Sequence, residues 1–296
     1  MIFDQVRQDV VRVLGKPLRR VEPVGGGCIA RGSRVEIGGK PYFLKWGDEE
    51  VARTFPAEAH GLSLLREAAD GLVIPAVIAF RAPTTETPWG WLLLEWIEPG
   101  TPREDFWELF GEGLAALHRV QAEQYGLDSD NYIGLTPQRN RWHESWPDFF
   151  REERLMPQML RAREQGVWEA SWNRSAECLL QRLEEWLPLH PEASLLHGDL
   201  WSGNYLVTQD GRPALIDPAV YFGHREADLA MTELFGGFAP RFYRAYAHAW
   251  PLEPDYELRR DLYNLYHMLN HLNLFGHAYA SGVARILKRY GGDGCV

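Results

Sequence analysis

The 296-residue chain is 45 % hydrophobic and 24 % charged, ordinary for a globular protein, and is long enough for two lobes around a cleft or one large domain. Its net charge of −10 argues against a nucleic-acid partner, which needs a basic face, and no apolar run reaches the roughly 18–20 residues of a membrane span. The start, Met1-Ile2-Phe3-Asp4-Gln5, lacks the basic region and apolar core of a signal peptide, and Cys28, Cys178 and Cys295 do not make a disulfide framework, so a cytoplasmic protein is expected.

In chain order, residues 1–16 place Ile2, Val6, Val10 and Val13 at helical spacing and predict an amphipathic helix ending at Gly15. Strands are predicted over 18–24, 34–37 and 42–46, separated by the turn Gly25-Gly26-Gly27-Cys28 and the hairpin turn Gly38-Gly39. Glycines in such a turn let backbone N–H groups approach phosphates closely, and Lys45 on the following strand strengthens that reading. A helix follows over 55–69, with Glu58 near its start. A strand lysine paired with a helix glutamate is a known device for holding the α and β phosphates of ATP.

Residues 75–82 and 91–96 predict two more strands, the second (Trp91-Leu92-Leu93-Leu94-Glu95-Trp96) apolar enough for the middle of a sheet. Ile97-Glu98-Pro99-Gly100 breaks the pattern and predicts a hinge, with the backbone of Glu95, Trp96 and Ile97 facing the adenine. An N-lobe of residues 1–97 and a C-lobe of residues 98–296 follow from that hinge. Beyond it the pattern is mostly helical, over 106–120, 142–155, 176–187, 226–235, 240–249, 256–275 and 278–290.

The most specific pattern interrupts those helices. His197-Gly198-Asp199-Leu200-Trp201-Ser202-Gly203-Asn204 follows a predicted strand over 193–196, and Leu215-Ile216-Asp217-Pro218 ends a predicted hairpin around Gln209-Asp210-Gly211. Phosphoryl transfer asks for positioning, a base and charge neutralisation. Asp199 is read as the base that accepts the proton of an acceptor hydroxyl, and Asn204 and Asp217 as ligands of Mg²⁺ against ATP.

On these residues the chain resembles the fructosamine/ketosamine-3-kinase family, in the aminoglycoside-phosphotransferase branch of the protein-kinase-like fold. The resemblance runs from residue 25 to residue 290. It is carried by Gly25-Gly26-Gly27-Cys28-Ile29, Phe43-Leu44-Lys45, Phe55-Pro56-Ala57-Glu58-Ala59 and Asp130-Asn131-Tyr132-Ile133-Gly134 with Gln138 and Asn140. Ser145-Trp146, Phe149-Phe150, Arg154-Leu155, the two segments around Asp199 and Asp217, and Leu269-Asn270-His271-Leu272-Asn273 extend it.

The resemblance implies an α+β, two-lobed fold, with an N-terminal antiparallel five-stranded sheet and a helix, and a larger, mostly helical C-terminal lobe. It implies transfer of the ATP γ-phosphoryl to the sugar 3-hydroxyl of a ketosamine, small or borne on a glycated lysine, followed by release of the amine. That is a deglycation reaction. Asp199 is then the base, Asn204 and Asp217 the metal ligands, Lys45 and Glu58 the phosphate-positioning pair, and Gly25, Gly26, Gly27 and Cys28 the cover over the nucleotide. A kinase of another hydroxylated amine, such as an aminoglycoside, choline or homoserine, is the same-fold alternative. Trp201 and Asn131-Tyr132-Ile133-Gly134 speak against it. A nucleotide-binding module without catalysis is a third reading, opposed by the presence of all five expected residues.

The remaining residues have plainer readings. His197 is expected to brace the loop. Asp228 either braces the catalytic segment or merely caps the helix over 229–235, and the structural role of a cap is the one expected, since Asp is common near a helix start. Most of the 12 tryptophans belong to the core, but Trp201, two residues past the base, is expected to face the acceptor and hold its ammonium on the indole face. His267, His271 and His277 read as core or cleft-lining residues and not as a zinc site. Cys28 reads as a small turn residue; the resemblance adds an interchain disulfide there, hence a monomer or a redox-linked dimer. Ile216-Asp217-Pro218 replaces Asp-Phe-Gly, with no activation-loop phosphosite downstream, so activity without phosphorylation is expected.

Overall fold

The computed structural model describes residues 2–25 and 30–292. Five strands form one antiparallel sheet in the order β1-β2-β3-β5-β4: β1 (Leu18–Val24), β2 (Arg31–Ile37), β3 (Lys40–Asp48), β4 (Val77–Arg81) and β5 (Trp89–Glu95). The apolar run Trp91-Leu92-Leu93-Leu94 is buried in β5, with β3 and β4 as its neighbours. Helix α1 (Ile2–Leu14) covers one face through Val6 and Val10. Its buried Asp9 accepts from the Trp91 indole at 2.9 Å and pairs with Arg12 and Arg81. The short α2 (Glu49–Ala52) and the longer α3 (Phe55–Ala68) pack toward the other face.

The second lobe is mostly helical, with short strands carrying the loops. It runs through α4 (Phe106–His118), β6 (Gln121–Ala122), the hairpin β7 (Asn131–Ile133) and β8 (Thr136–Gln138), α5 (Trp146–Phe149), a π-helical turn at Phe150–Leu155 and α6 (Met156–Glu164). Then come α7 (Asn173–Gln181), α8 (Leu183–Trp186), β9 (Ala193–Leu196), the hairpin β10 (Tyr205–Val207) and β11 (Pro213–Leu215), and β12 (Tyr221–His224). Helices α9 (Glu226–Leu234), α10 (Pro240–Ala249), α11 (Tyr256–Phe275) and α12 (Ala280–Gly291) complete it. Cys178 of α7 is buried and disulfide-bonded, a bridge that composition did not suggest. No helix among the described residues is long and apolar enough to cross a membrane.

The lobes share a core. One buried cluster runs from Phe55, Leu62, Leu65 and Leu92 through Leu114 and Leu117 to Leu200 and Leu215. Backbone bonds reinforce the join: Val73 N–H donates to the Pro213 carbonyl at 3.0 Å and Leu215 N–H to the Val73 carbonyl at 2.9 Å. After β5 the chain is pinned at once, because Gly100 N–H donates to the Val207 carbonyl at 3.0 Å. Apolar burial across this seam, at roughly 25 cal/mol per Å², ties the sheet firmly to the loops below it.

Candidate active site

A cleft of about 900 Å³ opens between the lobes. Antiparallel pairing sets Lys45 on β3 opposite Gly32 on one side and Leu92 on the other. Its ammonium lies 2.7 Å from a Glu58 carboxylate oxygen and also contacts Asp217. Glu58 reaches it from the first turn of α3, where Pro56 costs nothing because N–H groups of a first turn lack helical partners. Burial works against the Lys45 charge, but the Asp217 and Glu58 carboxylates outweigh it and hold the ammonium pKa above its ordinary value. Burial also pushes the Glu58 carboxyl up, and Lys45 opposes that push. A fully charged lysine bridging two carboxylates is suited to phosphate oxygens.

Asp199 and Asn204 lie in the loop after β9. The Asn204 side-chain N–H group donates to the Asp199 carbonyl at 2.8 Å and to its carboxylate at 3.0 Å. This fixes the amide's orientation and leaves its oxygen, the metal-binding atom of a carboxamide, for other partners. Burial first, then the neighbouring Asp217 and Asp228 charges, raise the Asp199 carboxyl to about 7, against the pull of Asn204. A carboxylate titrating near neutrality is a competent proton acceptor.

The loop is held by groups that do no chemistry. The buried Asp228 carboxylate accepts the backbone N–H of His197 at 2.7 Å and of Gly198 at 2.9 Å, and His118 stands 3.2 Å from it. Asp228 therefore braces this loop and is not merely a helix cap, the role expected for it. His197 donates from Nε2 to the Ile216 carbonyl at 2.9 Å, and burial keeps its ring neutral by lowering its pKa. Gly198 has φ +81°, and a Cβ there would collide with the Ala219 carbonyl, so the position requires glycine.

Asp217 itself has φ +55°, in the left-handed region that non-glycine residues avoid. Such a conformation persists where its surroundings over-determine it. Here Ala219 N–H donates to the His197 carbonyl at 2.9 Å. Gln138 donates to the Ala219 carbonyl at 3.0 Å and Asn131 to the Val220 carbonyl at 2.7 Å. Behind them Gln138 and Asn140 donate to the Asn131 carboxamide oxygen at 2.8 and 3.0 Å. The Tyr266 hydroxyl donates to Gln138 at 2.6 Å, and buried Arg154 donates to Asn140 at 2.8 Å, with its guanidinium 3.9 Å from the Tyr221 ring centre. The roles of Asn131, Gln138 and Asn140 are not legible in the sequence, because buried amides give no periodic signal.

Trp201 is half-buried in the cleft wall, its ring lying over Gly203, where a Cβ would overlap it. Gly25, Glu95, Trp96 and Ile97 line the same cleft. The Glu95 side chain turns to Ala76 N–H at 3.0 Å. Gly26, Gly27 and Cys28 lie outside the described residues. His267 is buried, with its pKa lowered to about 3 by burial and by His271, while His271 lines the cleft.

Asn204 and Asp217 offer hard oxygen donors, the chemistry Mg²⁺ selects, and Asp217 is the more open of the Lys45 partners at 40 % side-chain exposure. The donor set therefore fits that ion.

The family model for fructosamine kinase matches residues 2–291. A probable ketoamine kinase of Synechocystis sp. is 40 % identical over 291 residues, spanning 97 % of this chain and 96 % of that protein. The chloroplastic protein-ribulosamine 3-kinase of Arabidopsis thaliana is 36 % identical over 275 residues, spanning 92 % of this chain and 83 % of that one. Among solved structures, a Thermobifida fusca protein of the fructosamine-3-kinase type superposes with a TM-score of 0.86 at 33 % identity, covering 97 % of this chain and 98 % of that chain. An aminoglycoside phosphotransferase at 20 % identity and TM-score 0.63, covering 96 % of this chain and 98 % of that chain, shares the fold alone.

Proposed function

The chain belongs to the fructosamine kinase family, and from that premise we propose that it is an ATP-dependent ketosamine kinase acting on the sugar 3-hydroxyl of fructosamines or ribulosamines. Asp199 takes the hydroxyl proton as the oxygen attacks the γ-phosphorus, and the bond from that phosphorus to the β–γ bridging oxygen breaks, leaving ADP. Lys45, held by Glu58, positions the α and β phosphates. The backbone of Glu95, Trp96 and Ile97 faces the adenine, and Gly25 with Gly26, Gly27 and Cys28 covers the phosphates. Asn204 and Asp217 would hold Mg²⁺, which supplies neutralisation of phosphate charge. Trp201 holds the protonated amine of the ketosamine. We divide the work between residues 1–97, which bind nucleotide, and residues 98–296, which carry the base and the acceptor.

The observation that supports this reading best is the convergence of Lys45, Glu58, Asp199, Asn204 and Asp217 on one cleft, with Lys45 paired to Glu58 and Asp217 and Asn204 bonded to Asp199. ATP turnover over ribulosamine, fructosamine, erythrulosamine and aminoglycoside acceptors tests it. Turnover with ketosamines above all others is the expected result, and preference for an aminoglycoside would overturn it.

A further inference from the structure

Two large aromatic side chains stand exposed within the cleft. Phe235, at the C-terminal end of α9, is 42 % exposed, and Phe275, the last residue of α11, is 55 % exposed. Neither belongs to any of the three buried clusters, so packing does not account for them. They are not scattered surface residues either. The Trp201 and Phe235 rings meet edge-on with centroids 6.4 Å apart. Phe235 is 4.9 Å from the His271 ring, which is 5.5 Å from Phe275 and 5.0 Å from Tyr279. Five rings thus make one continuous wall that begins two residues past Asp199.

His271 and Trp201 are held in place, and the wall carries no positive charge. His271 donates from Nδ1 to the His267 carbonyl at 2.9 Å, one turn back on α11, and burial lowers its pKa, so the ring is neutral at pH 7. Trp201 is fixed by its seat on Gly203. A wall of this kind suits a flexible apolar chain that ends in a cation at Trp201.

We propose that Phe235, His271, Phe275 and Tyr279 form a subsite for the substituent on the ketosamine nitrogen, and that the substituent it takes is an unbranched alkyl chain such as that of a lysine side chain. The sugar then reaches Asp199, the ammonium rests on Trp201, and the methylenes run outward over Phe235 and Phe275. This assignment rests on the ketosamine reading of the same cleft.

The test is a series of N-alkyl ketosamines, from N-methyl to N-hexyl, assayed at saturating ATP. The acceptor KM of the unaltered enzyme is expected to fall by about two- to fourfold per added methylene until the wall is covered, the span of a partly to fully buried CH₂ group. Phe235→Ala and Phe275→Ala are expected to flatten that dependence, so that the ratio of variant to parent KM grows with chain length. Phe275→Leu, which keeps apolar contact, should restore part of the slope, and a melting curve checks each variant's fold. A KM independent of chain length in the parent, or an undiminished slope in both alanine variants, overturns the subsite while leaving the ketosamine reading intact. Failure of every ketosamine as an acceptor, N-methyl included, overturns both.

Discussion

The Asn131 side chain donates to the backbone carbonyl of Val220 at 2.7 Å, three residues beyond Asp217. Gln138 takes the adjacent Ala219 carbonyl at 3.0 Å. The hairpin of β7 and β8 thereby grips the segment that holds Asp217 in its left-handed conformation. Gln138→Ala would leave a buried carbonyl and the Tyr266 hydroxyl without their partner, at a cost of about 1–3 kcal/mol by urea unfolding. It should also raise the Mg²⁺ concentration needed for half-maximal turnover, because groups behind a ligand tune metal affinity by roughly 10–100-fold. A destabilised Gln138→Ala enzyme with an unaltered Mg²⁺ requirement would confine Gln138 to packing.

Asp199 sets the acid limb of the pH profile. Its carboxyl is raised to about 7, mainly by burial. Only the ionised form accepts a proton, so kcat/KM for the acceptor should fall tenfold per pH unit below about 7 and level off above it. Asp199→Ala should lose turnover by roughly 10²–10⁴-fold with nucleotide affinity nearly intact. Equilibrium titration of a fluorescent nucleotide beside the kinetic assay separates the two effects.

Asp217→Asn removes a carboxylate from the proposed metal site and from the Lys45 bridge together. Nucleotide binding measured without metal should change little. The Mg²⁺-dependent gain in binding should shrink by an order of magnitude or more, as expected when a charged oxygen ligand becomes neutral. Calorimetry with and without Mg²⁺ makes the comparison directly, and equal Mg²⁺ dependence in both proteins would take Asp217 out of the site.

Trp201→Leu should raise the acceptor KM by about 2- to 30-fold, the equivalent of a cation–π contact of about 0.5–2 kcal/mol. The ATP KM should stay near its original value. A lowered melting temperature with no change in acceptor KM would return Trp201 to a packing role.

Much of this architecture is legible in the sequence where one element sets its own limits. The bounds of α10 and α11 match their helical periodicity, with Pro240 opening the first and Gly276 closing the second. The spacing of Asp199 and Asn204 is equally local, since one loop carries both. A single helix predicted over 142–155 fails because the chain stays extended to Ser145, whose hydroxyl caps the Asp148 N–H at 3.4 Å. Helix α6 is hidden because Pro157 looks like a breaker, yet the chain is already helical through the π-turn at Phe150–Leu155, and the Glu153 carbonyl accepts from the Arg154 side chain at 3.0 Å. Strands β7, β8 and β12 are three or four residues long, too short for alternation to show. The aromatic wall and the amide network are drawn from distant segments, and only folding brings Phe235 beside His271 or Gln138 beside Tyr266.

Helix α3 lies directly on the chain that follows Asp217, because Gly61 presents no side chain there. A methyl group at 61 would stand 3.2 Å from Val220 and 3.3 Å from Pro218. The helix bearing Glu58 and the segment that follows Asp217 are thus in close contact. Kinases used for signalling are commonly silenced by swinging the equivalent helix away from its lysine, and here that movement would have to part the helix from Pro218 and Val220.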